Sequence, residues 1–221
     1  MYNLIFLLTI IITLSSQGYI NSTYRKTKKM ASSSGLTGKE VAQKILDKNN
    51  LQGVKVMMIS GELTDHYDPT NKTVCLSQDI YAGTSLASIS VASHECGHAI
   101  QDKEGFTFLK IRRKMVPLVN FASKAGYIII LISVIMSMLK LLWIGILLEG
   151  VILLFQVVTL PVEFDASKRA LGEIKDLKIV EEKGHDKCRK MLTAAALTYV
   201  ASVATAILEI LRLIFIARRN D

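Results

Sequence analysis

Apolar residues collect in four blocks along this chain, and polar stretches separate them. The blocks run from Leu4 to Leu14 with a weaker tail to Ile20, from Val116 to Leu139, from Leu141 to Leu160, and from Leu192 to Ala217. Each of the last three is long enough to cross a hydrocarbon layer of about 30 Å as a helix. The pattern therefore predicts an α-helical membrane protein with about four transmembrane helices.

The first block has the features of a membrane anchor over residues 1–21. No basic residue precedes it, and a basic run follows it, comprising Arg25, Lys26, Lys28 and Lys29. A signal peptide that is cleaved carries its charges in front and small residues at its end. We therefore favour an uncleaved anchor and keep cleavage as the alternative.

The remaining blocks and the basic clusters between them predict a topology. Only Lys140 separates the second block from the third, so residues 116–160 should form a tight transmembrane hairpin. Three basic clusters fall on one side of such a fold: Arg25 to Lys29, Lys110 to Lys114 and Lys183 to Lys190. The positive-inside rule makes that side the cytoplasm. Arg218 and Arg219 fall on the other side if the last helix, within residues 192–221, spans fully, so that crossing stays open.

The overall charge narrows the choice of partners. The formal net charge is +8, and neither a basic-aromatic interleaving nor a nucleic-acid motif accompanies it. Attraction to anionic lipid headgroups explains such an excess, so we expect the lipid bilayer as a partner and no nucleic acid. Inside the third block, Glu149 has no obvious local partner, and its role stays open.

Residues 22–115 are polar enough to form a small α+β domain. The run Thr37-Gly38-Lys39-Glu40 is a capping box, which predicts a helix that continues to about Lys48. Two runs, Val54 to Ser60 and Thr73 to Ser77, are typical of strands, and turn-forming residues lie between them. We expect these two strands to pair as an antiparallel ribbon.

The candidate chemistry lies in a further predicted helix, from Thr84 to Asp102, which contains His94-Glu95-Cys96-Gly97-His98. Side chains four positions apart are neighbours on a helix, so His94 and His98 can hold one zinc ion. Glu95 is rotated far enough to reach a water at the metal, which makes it the expected general base. This is the H-E-x-x-H signature of zinc hydrolases. The alternative is a helix with two solvated histidines.

A catalytic zinc generally uses three protein ligands, so one ligand is still needed. Glu163 follows Pro161, which is well placed at the first turn of a new helix within the polar segment 161–191. His185 lies in a Gly- and Lys-rich stretch of the same segment. We favour Glu163, because zinc sites with two His and one Glu have precedent, and keep His185 as the alternative.

Peptide hydrolysis also needs a hydrogen-bond donor for the oxyanion that forms when water attacks the carbonyl. His66 and Tyr67 are candidates for this catalytic role. The same residues could instead belong to a self-bonded turn that closes the ribbon.

Three segments together resemble the neutral zinc metallopeptidase family of bacterial membrane proteins, and the likeness extends over nearly the whole chain. They are Leu63-Thr64-Asp65-His66-Tyr67-Asp68-Pro69, Val91-Ala92-Ser93-His94-Glu95-Cys96-Gly97-His98-Ala99-Ile100-Gln101 and Leu160-Pro161-Val162-Glu163-Phe164-Asp165-Ala166-Ser167. More distantly the chain is similar to the HtpX-like and CAAX prenyl endopeptidases, which are integral-membrane gluzincins.

The resemblance implies a zincin-like domain in the bacterial plasma membrane, one Zn²⁺ per chain, and Glu163 as the third ligand. Those more distant relatives carry an Asp four positions after this Glu, where this chain has Ser167. We expect Asp165 or Asp65 to replace it by accepting the other N–H of a ligand histidine.

These features predict a membrane-bound zinc metalloendopeptidase that acts on a peptide or a membrane protein. The alternative from another class is a non-catalytic membrane scaffold or assembly factor that uses zinc only for folding, which would tolerate the loss of Glu95. An intramembrane protease would carry its motif in an apolar spanning helix, whereas polar residues flank this one. Neither the substrate nor the oligomeric state follows from the sequence.

Overall fold

The computed structural model describes residues 2–136 and 138–219. In chain order the elements are α1 (Tyr2–Lys28), α2 (Gly38–Lys48), β1 (Lys55–Ile59), β2 (His66–Asp68), β3 (Thr73–Ser77), α3 (Gln78–Tyr81), α4 (Leu86–Glu104), α5 (Thr107–Ile135), α6 (Leu139–Asp176) and α7 (Glu182–Arg219). They form two compact units. One comprises the described residues of Met1–Gln17, Lys110–Pro161 and Leu197–Asp221, and the other comprises Gly18–Leu109 and Val162–Ala196.

Within residues 2–136 and 138–219, four helices are long and apolar enough to cross a membrane: Tyr2–Lys28, Thr107–Ile135, Lys140–Asp176 and Glu182–Arg218. Large apolar side chains on them are exposed, including Ile135 at 72% and Leu147 at 70%. Helices that are apolar around much of their circumference are typical of membrane spans when no protein core covers them. The predicted helical membrane protein with a small α+β domain is thereby confirmed.

Helices α5 and α6 pack against each other, and the break between them lies before Leu139 and not at Lys140, which is inside α6. A Cβ atom on Gly145 would overlap the side chain of Ile130, and a Cβ atom on Gly126 would lie 3.3 Å from that of Leu148. These contacts run in opposite directions along the two helices, so the helices are antiparallel. Small residues let such helices approach closely in a membrane, where packing replaces the hydrophobic effect.

Local signals in the small domain predict α2 and α4 correctly, whereas the short helix α3 was not predicted. The hydroxyl of Thr37 accepts a bond from the backbone N–H of Glu40, and the Glu40 carboxylate accepts one from the backbone N–H of Thr37, so the capping box at α2 is complete. The metal-motif helix α4 begins after Ser85, whose hydroxyl accepts the N–H of Ser88. It ends at Gly105, whose φ of 68° suits a residue without a Cβ atom.

The sheet differs from the expected antiparallel ribbon, and that prediction is wrong. The strand order is β1-β3-β2, with β1 parallel to β3 and β2 antiparallel to β3. The intervening segment is not only a turn, because His66–Asp68 forms a strand on the far side of β3. The chain therefore crosses β3 before entering it, which gives β1 and β3 the same direction.

Helix α6 continues from Leu139 to Asp176 with Pro161 inside it. The expectation that a new helix begins at Pro161 is therefore wrong. Proline lacks an N–H and cannot bond to the carbonyl four residues earlier, but helices of membrane proteins tolerate this loss where other groups satisfy the backbone. Glu163 consequently lies on an extension of an apolar helix and not at the start of a separate one.

Candidate metal centre

Helix α4 brings two imidazoles to one face. His94 and His98 lie one turn apart, with ring centroids separated by 4.8 Å and planes at 82°. Their side chains are only 14% and 11% exposed, so these are not the two solvated histidines of the alternative interpretation.

Helix α6 supplies a carboxylate to the same point. The Oε2 atom of Glu163 lies 3.2 Å from Nε2 of His94 and 3.7 Å from Nε2 of His98. One ligand atom from each of the three residues lies within 4.8 Å of the others, and the Glu163 side chain is 3% exposed. The structure thus brings together all three residues that the sequence predicts as metal ligands.

The approach of the two helices depends on Gly97, the fourth residue of the motif. A Cβ atom at this position would lie 2.5 Å from the carbonyl oxygen of Ala166, which is closer than real Cβ contacts. Glycine therefore allows the backbone of α6 to pass directly against α4. This contact explains how Glu163, three residues before Ala166, reaches the histidines.

The donor set fits a zinc ion. Zinc takes imidazole nitrogen and carboxylate oxygen in tetrahedral geometry at bond lengths of about 2.0–2.2 Å, which places ligand atoms about 3.3 Å apart. The two distances from Glu163 to the histidines lie close to that value. Three protein donors also leave the fourth position for water, as catalytic sites require.

His98 is oriented by a buried amide. Its Nδ1 atom lies 3.1 Å from Oε1 of Gln101, and Nε2 of Gln101 donates to the Val162 carbonyl and to the Asp165 carboxylate, both at 2.8 Å. Gln101 is fully buried. Because Nδ1–H of His98 donates to this amide oxygen, Nε2 keeps the lone pair that a metal needs.

His94 is oriented by a hydroxyl. Its Nδ1 atom lies 3.2 Å from Oγ of Ser167, which is four residues beyond Glu163 on α6. The expectation that Asp165 or Asp65 accepts directly from a ligand histidine is therefore wrong. Asp165 acts through Gln101, and Asp65 accepts from the backbone N–H and the hydroxyl of Ser77.

The sequence contained a signal for both missed residues. Gln101 lies three positions after His98, and Ser167 lies four positions after Glu163, so each shares a helix face with a ligand. Neither is a carboxylate, the residue type expected to orient a ligand histidine in this chain.

Glu95 is buried beside the cluster, with 7% of its surface exposed. Burial raises the pKa of its carboxyl group, and the neighbouring imidazoles of His94 and His98 partly oppose that shift. Burial alone would lower the pKa of His98, but the adjacent Glu163 carboxylate holds it above its ordinary value. These shifts indicate a dry site in which charges interact strongly.

The remaining candidate residues make contacts of their own. His66 is exposed on β2 with Nδ1 2.8 Å from the Thr64 carbonyl, and the Tyr67 hydroxyl donates to Asp102 at 2.9 Å. Their roles as oxyanion donors stay predictions. His185 has its Nε2 atom 3.1 Å from the Leu171 carbonyl and does not join the group of potential metal ligands in the described part of the chain.

Comparison with known proteins decides the family. Residues 2–218 match the family model described as "putative neutral zinc metallopeptidase". The chain belongs to this family. A relative from Bacillus subtilis (strain 168), named "Putative membrane protease YugP", is 43% identical over 201 residues, which cover 91% of this chain and 89% of the relative. No solved structure matches the chain.

The family match confirms the resemblance that the three motifs predict. Membership of a zinc metallopeptidase family agrees with the donor set of His94, His98 and Glu163. The name of the relative and the four apolar helices agree in making this an integral membrane protein.

Proposed function

We propose that this protein is a membrane-bound zinc metalloendopeptidase that uses Glu95 as its general base. The observation that carries the proposal is the convergence of His94, His98 and Glu163 within 4.8 Å, with Glu95 buried next to them. A metal used only for folding does not require a buried carboxylate that is adjacent to the ligands but not one of them.

His94, His98 and Glu163 would hold one zinc ion per chain. Bound there, zinc would supply Lewis acidity and lower the pKa of a water molecule to about 7. Glu95 is placed to accept a proton from the attacking water and to return it to the leaving amine when the peptide bond breaks. The low exposure of all four side chains keeps bulk water away from these proton transfers.

The substrate binds in extended form along β2. This strand lies at the edge of the sheet, where its outer backbone groups can bond to an added peptide strand. His66 is exposed on β2, and its ring is oriented by the Thr64 carbonyl. We assign His66 and Tyr67 as the oxyanion donors. Tyr67 would have to release Asp102 to serve, which makes His66 the stronger candidate.

The site faces the cytoplasm of a bacterial cell. The basic clusters before α2, at the start of α5 and at the start of α7 support this orientation through the positive-inside rule. Peptides or membrane-protein segments on the inner side of the plasma membrane are the substrates that such a site would reach.

Replacement of Glu95 by Gln tests the catalytic role. Loss of a general base typically lowers turnover by about 10²- to 10⁴-fold, while the zinc ligands stay intact. We expect Glu95→Gln to retain one zinc per chain by elemental analysis but to lose cleavage of a fluorescence-quenched unstructured protein. Glu104→Gln, which alters an exposed carboxylate on the same helix, should remain active. A fully active Glu95→Gln variant would show that Glu95 is not the general base, and absence of cleavage by the wild-type protein would instead favour a scaffold in which zinc serves folding.

Metal analysis of three further variants tests the ligand set. His94→Ala and Glu163→Ala should each reduce bound zinc well below one per chain, because each removes a direct donor. His185→Ala is the matched control and should bind zinc like the wild type, since its Nε2 atom contacts the Leu171 carbonyl. Undiminished zinc in Glu163→Ala would move the third ligand elsewhere.

A further inference from the structure

A groove lies between the end of α6 and the beginning of α7, and two cavities form it. The first, of about 350 Å³, has Phe164, Ser167, Lys168, Leu171, Arg189 and Leu192 in its wall. The second, of about 320 Å³, is lined by Lys175, Lys178, Glu182, His185, Asp186 and Arg189. Arg189 belongs to both walls, so the cavities adjoin. We call them together the α6–α7 groove.

The helical spacing of the lining residues explains the shape of the groove. On α6 they recur at positions 164, 168, 171 and 175, and on α7 at positions 185, 189, 192 and 196. Steps of three and four residues keep each set on one face of its helix. The two faces oppose each other across the groove, because the chain turns back between Asp176 and Glu182.

The groove changes from apolar to basic along its length. Phe164 and Leu192 mark the apolar end, which begins just where the apolar block of α6 ends at Leu160 and that of α7 starts. Side chains at that level lie at the boundary between hydrocarbon and headgroups. Phe164 is 48% exposed, although it is a large apolar residue, so an apolar partner would cover it.

The lining of the groove carries more positive than negative charge. Four cations line the two cavities: Lys168, Lys175, Lys178 and Arg189. Within residues 2–136 and 138–219 none of these four forms an ion pair, whereas Arg169 beside them pairs with both Asp165 and Glu104. Four cations against the carboxylates of Glu182 and Asp186 leave the groove with a net charge of +2.

We propose that the α6–α7 groove binds an anionic phospholipid. The phosphate lies between Lys168 and Arg189, where the guanidinium can donate two parallel bonds to it, and an acyl chain covers Phe164 and Leu192. Basic pockets between membrane helices recognise lipid headgroups because they place positive charge at the level of the headgroups. A zwitterionic lipid carries the same phosphate but neutralises it with its own ammonium group, so it gains less from the groove.

The site adjoins the metal centre without being part of it. Ser167 lines the groove, and its hydroxyl also contacts Nδ1 of His94. Neither Arg189 nor Lys168 belongs to the group of potential metal ligands among the described residues, so their replacement should leave zinc binding intact. Zinc content therefore reports whether a groove variant is correctly folded, independently of lipid binding and of peptidase activity.

The test compares two lipids on the full-length protein in detergent. Native mass spectrometry measures how much phosphatidylglycerol and how much phosphatidylcholine, with identical acyl chains, the protein retains at equal concentrations. We expect the wild type to prefer phosphatidylglycerol, and we expect Lys168→Gln/Arg189→Gln to weaken its binding by about 10- to 30-fold while keeping bound zinc. Lys187→Gln/Lys190→Gln removes the same charge outside the groove and should retain the preference.

Three results would overturn the proposal. Equal retention of both lipids by the wild type would show that the groove does not distinguish lipids by headgroup charge. This comparison requires no variant. An equal loss in the Lys187→Gln/Lys190→Gln control would show a general effect of charge. Displacement of the lipid by millimolar glycerol 3-phosphate would show a site for a soluble phosphate instead.

Discussion

His94 and His98 lie one turn apart on the same helix, yet their surroundings hold them very differently. His98 contacts the planar amide of Gln101, which is fully buried and is itself bonded twice to α6. His94 contacts a single hydroxyl, that of Ser167, which can rotate about its C–O bond. The motif spacing sets which atoms face the metal, whereas the facing helix decides how firmly each imidazole is held. We therefore expect His98 to be the more rigid ligand.

The largest loss of zinc affinity should come from disrupting the close approach of α6 to α4 at Gly97, because the contacts of both histidines depend on it. Gly97→Ala places a Cβ atom against the backbone carbonyl of Ala166, where no side-chain rotation can relieve the contact. Overpacking of this kind costs about 1–3 kcal/mol. The resulting shift of α6 should separate Glu163 from both imidazoles. Zinc affinity, measured by competition with a chelator, should fall by more than about 100-fold, beyond the usual effect of losing a supporting bond.

Gly172→Ala is the matched control for this change. Nothing lies within 4 Å of a Cβ atom at Gly172, which is also inside α6. Alanine should stabilise the helix by about 0.5–1 kcal/mol, seen as a higher unfolding temperature, and leave zinc affinity unchanged. Wild-type zinc affinity in Gly97→Ala would mean that the helices have room to separate without disturbing the ligands.

A smaller effect should follow when only His98 loses its support. Gln101→Ala removes the acceptor for Nδ1–H of His98 and leaves the carboxylate of Asp165 without the amide that bonds to it. Loss of such a partner typically weakens metal binding by about 10- to 100-fold. The same chelator competition measures this, with Gln52→Ala as an exposed control. An unchanged affinity would indicate that Gln101 only fills space.

The smallest loss of zinc affinity should follow when His94 loses its hydroxyl partner. Ser167→Ala removes one hydroxyl, and we expect zinc affinity to fall by less than about 10-fold, the lower limit for such partners. Ser167→Asp should have the opposite sign, because a carboxylate accepts more strongly from the imidazole N–H. If Ser167→Ala weakens zinc more than Gln101→Ala does, the order of the two supports is the reverse of the one inferred here.

The difference between local signals and contacts between distant segments explains what could be predicted from the sequence. The helices α2 and α4 depend on caps within a few residues and were predicted correctly, and the proximity of the His94 and His98 rings follows from their spacing on α4. Glu163 could be located because topology limits the candidates on one side of the membrane. These signals are local, or they follow from the order of the apolar blocks.

Features that depend on packing between distant segments were missed. The direction of β1 relative to β3 is set by where β2 joins the sheet, which the strand patterns do not encode. Helix α6 continues through Pro161 because long apolar helices of membrane proteins tolerate an internal proline, and the residues next to Pro161 do not reveal this. The contacts of Gln101 and Ser167 exist only because Gly97 lets α6 approach, and residue type alone does not reveal that approach.

The spacing of the ligands along the chain has a consequence for biosynthesis. Glu163 follows His94 by 69 positions, and the whole of the α5–α6 hairpin is synthesised between them. A ribosome therefore exposes the paired imidazoles and Glu95 well before the third donor exists. An unfinished or truncated chain carries an incomplete centre, so under the proposed function the nascent polypeptide gains hydrolytic activity only once its hairpin has been made.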